Sequence, residues 1–324
     1  MDKEEHLMKA TKCAALVLAA GFCSLCAADY PEKPGRLIAP FAPGGIADIF
    51  ARTVAQRITE QTGKVFVVEN RAGAGGRIGY EAGAKAAPDG YTFVITDVTY
   101  TMLPALYDSL PWNHADLVPV TLVAQMPFVI VVNANSKMAS LSELIALAKA
   151  NPNKINYGSA GIGSVNHVVS ELFKRSGGVE LTHVPYRGMG DAMTGLLSGT
   201  VDVLVTAMPT AMNNIKATKV VALGVTAPHR TGAIPNVPTS AEAGVPLVAS
   251  NWIGLTTPKG SPREAIDWMQ KQVSNAVSTP EVKERIASQG AQAQAMSTEE
   301  FAKLMQDEGR RWGEVIRAAK IKAE

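Results

Sequence analysis

The chain reads as an α/β protein built from two lobes, each a sheet flanked by helices. Three observations predict this. Short apolar runs alternate with helical patterns over most of the 324 residues, the signature of a parallel sheet covered by helices on both faces. Two stretches, residues 40–48 and 157–167, repeat one layout of apolar strand, glycine-rich turn and amphipathic helix. The apolar runs at 118–132 and 252–256 are long or isolated enough to cross between lobes. With 47% hydrophobic residues the chain can bury two cores of ordinary domain size.

The elements follow in order. Residues 36–41 form a strand, and 47–61 a helix whose Ile49, Phe50, Val54, Ala55 and Ile58 recur at helical spacing until Gly63 stops it. Residues 65–68 form the next strand; the glycine-rich run 73–79 opens a small-residue helix that ends near Pro88-Asp-Gly90, and 91–96 is the third strand. The run 118–132, interrupted by Pro119 and Pro127, crosses into the second lobe. There helices at 141–150, 164–175, 191–198 and 210–217 alternate with strands at 155–157, 181–184, 201–206 and 220–225. A proline- and glycine-punctuated stretch, 228–246, leads to the return crossing at 252–256, and helices at 262–277, 280–288 and 298–319 finish the chain on the first lobe. The expected division is a leader at 1–28, lobe 1 at 29–130 plus 251–324, and lobe 2 at 131–250, with hinges near 129–133 and 250–254.

The two strand–turn–helix repeats carry the chemistry. A glycine turn lets backbone approach a ligand, and the first N–H groups of the helix that follows have no partner inside it. Each repeat is therefore an anion cradle, one on each wall of a cleft. Hydrogen bonds to a charged group contribute about 1.5–3 kcal/mol each and a helix N-terminus about 0.3–1 kcal/mol, so a few amides retain a carboxylate without a buried lysine or arginine.

The first residues set the compartment. A charged start, a short apolar run at 13–22 and the small residues Cys26-Ala-Ala28 before Asp29 read as a secretory signal peptide, with Met1 or Met8 as initiator. The run is shorter than the roughly 20 residues that span a membrane. Cys13, Cys23 and Cys26 all lie in this leader, so the mature chain has no thiol chemistry. The leader holds three lysines and three acids, so the mature chain keeps the net charge of +2, a balance that argues against a nucleic-acid partner.

Several long motifs stand in one order: Pro40-Phe-Ala-Pro-Gly-Gly45 with Asp48 and Arg52, Glu69-Asn-Arg-Ala-Gly-Ala-Gly-Gly76, Ala86-Ala-Pro-Asp-Gly-Tyr-Thr92, Tyr157-Gly-Ser-Ala-Gly161 with Gly163, Ser164 and His167, Glu171-Leu-Phe-Lys174 and His183-Val-Pro-Tyr-Arg-Gly188. In these the chain resembles the Bug solute-binding proteins of tripartite tricarboxylate transporters. The resemblance implies a periplasmic, two-lobed type II binding fold that captures a small organic carboxylate between its lobes and delivers it to the membrane subunits of the transporter. It implies ligand contacts at Phe41, Gly44, Gly45 and Ile46 in the first motif, at Ser159, Gly163, Ser164 and His167 in the second, and at Arg187. A monomer is expected, and no cofactor. A subunit presenting carboxylate to a sensor kinase is the alternative partner reading.

Individual residues keep two readings open. Asp48 either answers the helix dipole alone or also orders the glycine loop; Ser164 either caps its helix or gives its hydroxyl to the ligand. Arg77 stands where the family commonly has a small polar residue, and is either a solvated arginine or the partner of a second, distal carboxylate. Ile46-Ala47 and Thr206-Ala207 replace more polar pairs, which suits an anionic or larger apolar ligand and places Ala207 at the cleft edge. An enzyme is disfavoured: Tyr157 and Ile162 occupy the first glycine position of any Gly-x-Ser-x-Gly elbow. Ile78 interrupts a dinucleotide loop, and His114, His167, His183 and His229 show no metal-ligand spacing.

Overall fold

A computed structural model describes residues 30–323; the expected signal peptide lies outside them. The chain runs β1 (Gly35–Ala39), α1 (Ile46–Thr62), β2 (Phe66–Asn70), α2 (Arg77–Ala84), β3 (Thr92–Asp97), α3 (Val98–Leu106) and β4 (Leu117–Asn133). It continues with α4 (Leu141–Ala150), β5 (Asn156–Ser159), α5 (Val165–Gly177), β6 (Thr182–Pro185), α6 (Met189–Ser198), β7 (Val203–Ala207), α7 (Met208–Lys216) and β8 (Val220–Val225). The last elements are β9 (Ser250–Pro258), α8 (Arg263–Ser278), α9 (Pro280–Ser288), β10 (Gln292–Ala293) and α10 (Thr298–Ala319).

The strands lie in the order β2-β1-β3-β9-β4-β7-β5-β6, with β8 and β10 also paired to β4. The outer strands are parallel, whereas β9 runs antiparallel to β3 and β4, and β4 antiparallel to β7 and β8. The sheet is mixed because the crossing strands return against their neighbours. The 17-residue β4 joins the halves: it pairs with β9 from Leu117 to Pro127 and with β7 from Phe128 to Val132. Its two prolines fall where a missing N–H costs least. Pro119 sits at a register shift and Pro127 at the change of partner.

Side-chain alternation builds the layers. In β4, Val129 and Val131 join one apolar cluster, and Phe128, Ile130 and Val132 another. The first cluster puts α1 and α8 (Phe50, Ile58, Met269) and α6 and α7 (Met193, Leu196, Met212) on one side of the sheet. The second holds α4 and α5 (Leu144, Val168, Phe173) and α10 (Phe301, Trp312). Helix α3 departs from the sequence expectation, which passed from the third strand directly to the crossing run. Its residues Val98–Leu103 are all buried, so it shows no amphipathic period, and Pro104 lies inside it. The signal that starts it is a cap: the Asp97 carboxylate accepts from Thr99 N at 2.9 Å.

Candidate functional site

The β1–α1 turn is held by one carboxylate. Asp48, in the first turn of α1 and 5% exposed, accepts from Gly44 N at 3.0 Å, from Arg52 Nε at 3.0 Å and from Asn70 Nδ2 at 3.1 Å. Asn70 also donates to Phe41 O at 3.0 Å. Burial alone would raise the Asp48 carboxyl, but the Arg52, Gly44 and Asn70 hydrogen bonds outweigh it and hold the group below its ordinary range. Asp48 therefore does order the loop, and it occupies the Gly44 amide.

What remains at the turn is a free set of donors. The N–H groups of Gly45, Ile46 and Ala47 have no acceptor among the described residues, because they open α1 and no side chain caps them. Facing them is the start of α6: a Cβ built on Gly45 would lie 3.7 Å from Met189 N and 3.8 Å from Gly190 N. Ala42 N donates to Arg187 O at 3.4 Å. The N-terminus of α6 thus lies against the β1–α1 turn, and a helix N-terminus favours an anion. This second N-terminus escaped sequence reasoning, which began the helix at residue 191; the signal was the pair Gly188 and Gly190, spaced for close backbone approach.

The second glycine turn, between β5 and α5, meets a different loop. Its partner is the turn before α2: a Cβ on Gly75 would lie 2.2 Å from Ile162 O, and Gly75 itself has φ +64°. Only glycine satisfies both constraints. Here the donors are spent internally. Gly161 N donates to Ser159 Oγ (3.1 Å), Gly163 N to His167 Nδ1 (3.3 Å), Ser164 N to Gly161 O (3.1 Å) and Val165 N to Thr99 Oγ1 (3.0 Å). Ser164 is the cap of α5, its hydroxyl accepting from His167 N at 3.3 Å. The cradles are alike in sequence and unlike in what they offer.

The remaining candidates divide by place. Phe41, Ile46 and Ala207 are buried in one continuous apolar cluster with Ala160, Met189 and Met208, so the seam between the halves is apolar at that level. Arg77 is half-buried at the other seam, its guanidinium 4.0 Å from the centre of the Tyr107 ring and its Nε donating to Ala74 O at 3.2 Å. Tyr107 OH reaches Ile162 O at 3.2 Å. Arg187 is exposed and takes part through its carbonyl. Ser159 gives its hydroxyl to a local network with Gly161 O at 3.2 Å and His183 Nε2 at 2.7 Å. His167 is 7% exposed and stacks on His183 with ring centres 4.3 Å apart.

A cavity of about 700 Å³ opens elsewhere, lined by both crossing strands and by Ala227, Pro228, Glu284 and Arg311. Its single arginine, Arg311, pairs with Glu308 at 3.2 Å. Among the described residues no three of His, Cys, Asp and Glu group to hold a metal ion, and no helix is long and apolar enough to cross a membrane.

Known proteins match this arrangement over most of the chain. The family described as "Tripartite tricarboxylate transporter family receptor" matches residues 50–321. Protein BugT of Bordetella pertussis is 36% identical over 313 residues, 94% of this chain and 96% of its own. A structure of R. palustris Rpa4515 with adipate superposes with a TM-score of 0.87 at 31% identity, covering 91% of this chain and 99% of that one. MatC from Rhodopseudomonas palustris with bound malate superposes with a TM-score of 0.83 at 30% identity, covering 89% and 100%. The shared architecture is the two-lobed α/β fold of periplasmic solute-binding proteins, and these relatives are binding proteins, not enzymes. The chain belongs to the receptor family of the tripartite tricarboxylate transporters.

Proposed function

We propose that this periplasmic receptor holds a small organic carboxylate on the backbone amides of Gly45, Ile46 and Ala47 and passes it to the membrane subunits of a tripartite transporter. The observation that carries the reading is the unpaired state of those three amides opposite the N-terminus of α6. Two or three charged hydrogen bonds at about 1.5–3 kcal/mol each offset the several kcal/mol of hydration a carboxylate loses. The relatives bound to adipate and malate carry the same class of ligand.

The lobes, 29–130 with 251–324 and 131–250, rotate about hinges at 129–133 and 250–254. The conformation described here is the closed one, with Gly44 and Gly75 in contact with Gly190 and Ile162. Ligand that touches both lobes only when they meet shifts the population toward this form. Arg77, fixed over Tyr107, takes a second carboxylate when the ligand has one.

A thermal-shift series of adipate, malate, citrate and benzoate on the mature protein tests the reading. At 100 times its Kd a cognate acid adds about 2.7 kcal/mol, a rise of several degrees in Tm. No shift with any acid, or turnover of the acid to product, rejects it.

A further inference from the structure

We propose that His167 is a proton-coupled ligand residue: it holds the Gly163 amide in reserve, and on taking a proton at Nδ1 it releases that amide and offers its own N–H to the carboxylate. This rests on the solute-binding reading above, and adds a donor pair from the second glycine turn.

The acceptors that occupy this turn differ in kind. They are the hydroxyls of Ser159, Thr99 and Ser164, the carbonyl of Gly161 and the imidazole of His167. A hydroxyl or carbonyl accepts at any physiological pH. The imidazole alone turns from acceptor to donor with one proton. Because Gly163 N donates to Nδ1 at 3.3 Å, the resting ring is neutral with its hydrogen on Nε2. A proton from solvent at Nδ1 places two N–H groups face to face. The Gly163 amide then swings away, and both donors are available to one anion.

The ring cannot leave the site to escape this. It stacks on His183 at 4.3 Å and 9°, and His183 stacks on Tyr157 at 4.7 Å and 14°. The charges around it are few. From its own helix come Glu171, which accepts from Tyr157 OH at 2.5 Å, and Lys174, which lies 3.0 Å from Glu171 and 3.7 Å from Glu180. From β6 comes His183 and from β5 Tyr157. From the residue after α3 comes Tyr107 with Arg77 above it, and the C-terminal segment reaches Gly163 with the apolar Ala323.

Burial is the main influence keeping His167 neutral, with Lys174 adding to it and Glu171 opposing. Burial is also the main influence lowering His183, to about 4, with the neighbouring His167 adding to it and Glu171 opposing. A carboxylate at the turn raises the folded pKa of His167. Binding therefore takes up a proton, and affinity rises as pH falls, until the unliganded protein is itself protonated.

Two measurements on the mature protein decide it. In ¹H–¹⁵N spectra of the unliganded protein the Gly163 amide should move with the His167 ring between pH 8 and 4, and stay still in His167→Asn, whose side-chain oxygen keeps the acceptor but does not titrate. A Gly163 amide that ignores pH, or still titrates in the variant, overturns the proposal. Calorimetry with adipate at pH 6, in buffers of different ionisation enthalpy, should show net proton uptake on binding; His167→Asn should bind adipate more weakly at that pH and without the uptake. Binding without uptake, or equal uptake in the variant, overturns the proposal and leaves the solute-binding reading standing. Absence of heat with adipate and with malate in its place counts against both.

Discussion

Gly190→Ala is expected to weaken carboxylate binding by roughly 100-fold, about 2.7 kcal/mol. A Cβ at this position would lie 1.9 Å from Pro43 O and 3.0 Å from Pro43 C. These are backbone atoms, and no rotamer relieves the overlap. The β1–α1 turn and the α6 N-terminus must therefore separate, and the two sets of amides no longer face one ligand. Gly190 lies in the first turn of α6, where alanine is favoured over glycine by about 0.5–1 kcal/mol, and this offsets part of the packing lost when the seam opens. Calorimetry with a stabilising acid measures the loss, and small-angle scattering of the liganded variant should remain as expanded as the unliganded protein. An unchanged affinity shows that the contact between Gly190 and Pro43 has no part in capture.

Asp48→Ala should cost about 1–3 kcal/mol of folding stability and lower affinity by tenfold or more. The substitution strips the acceptor from Gly44 N, Arg52 and Asn70 together. Arg52 is largely exposed and regains water, so the loss comes from the Gly44 and Asn70 bonds that shape the turn. Affinity falls because the amides of Gly45–Ala47 are aimed by that shape, although Asp48 itself repels an anion.

The pH dependence has a definite sign. The folded Asp48 carboxyl is held below its ordinary value of 3.8, so its contribution is complete above that value and disappears as pH falls through the folded one. Urea unfolding should show a difference between wild type and Asp48→Ala that is constant from pH 7 to 5 and shrinks below about pH 4. A difference as large at pH 3 as at pH 7 would show that the carboxylate's charge is not what holds the turn.

Most of the fold is legible in the sequence because its signals are local. Gly63 ends α1 as read, the apolar period of α1 is clear, and β4 announces itself as a run of fifteen mostly apolar residues. Helix α3 is not legible, since burial on all sides erases its period. The short β10 has only two residues and exists by pairing with β4. The mixed direction of the sheet likewise follows from tertiary return of the crossing strands, which no window of sequence records.

The candidate site shows the same division. Glycine turns at 44–45 and 161–163 are visible as anion cradles, and Asp48 as a group that orders one of them. Which turn faces which is a tertiary fact: residues 42–45 meet 187–190, and residue 75 meets 161–162. Whether a cradle's amides are free is a hydrogen-bond account. At Gly45–Ala47 no acceptor among the described residues competes for them, whereas at 161–165 each of four amides has found a hydroxyl, a carbonyl or an imidazole. Residue types alone carry no trace of that difference.

The most direct measurement is a crystal structure grown with the acid that stabilises the protein most. The account predicts carboxylate oxygens at about 2.7–2.9 Å from at least two of the amide nitrogens of Gly45, Ile46 and Ala47, with the turns still closed over it. An acid found in the cavity between the crossing strands and α9, with those three amides left to water, would contradict it.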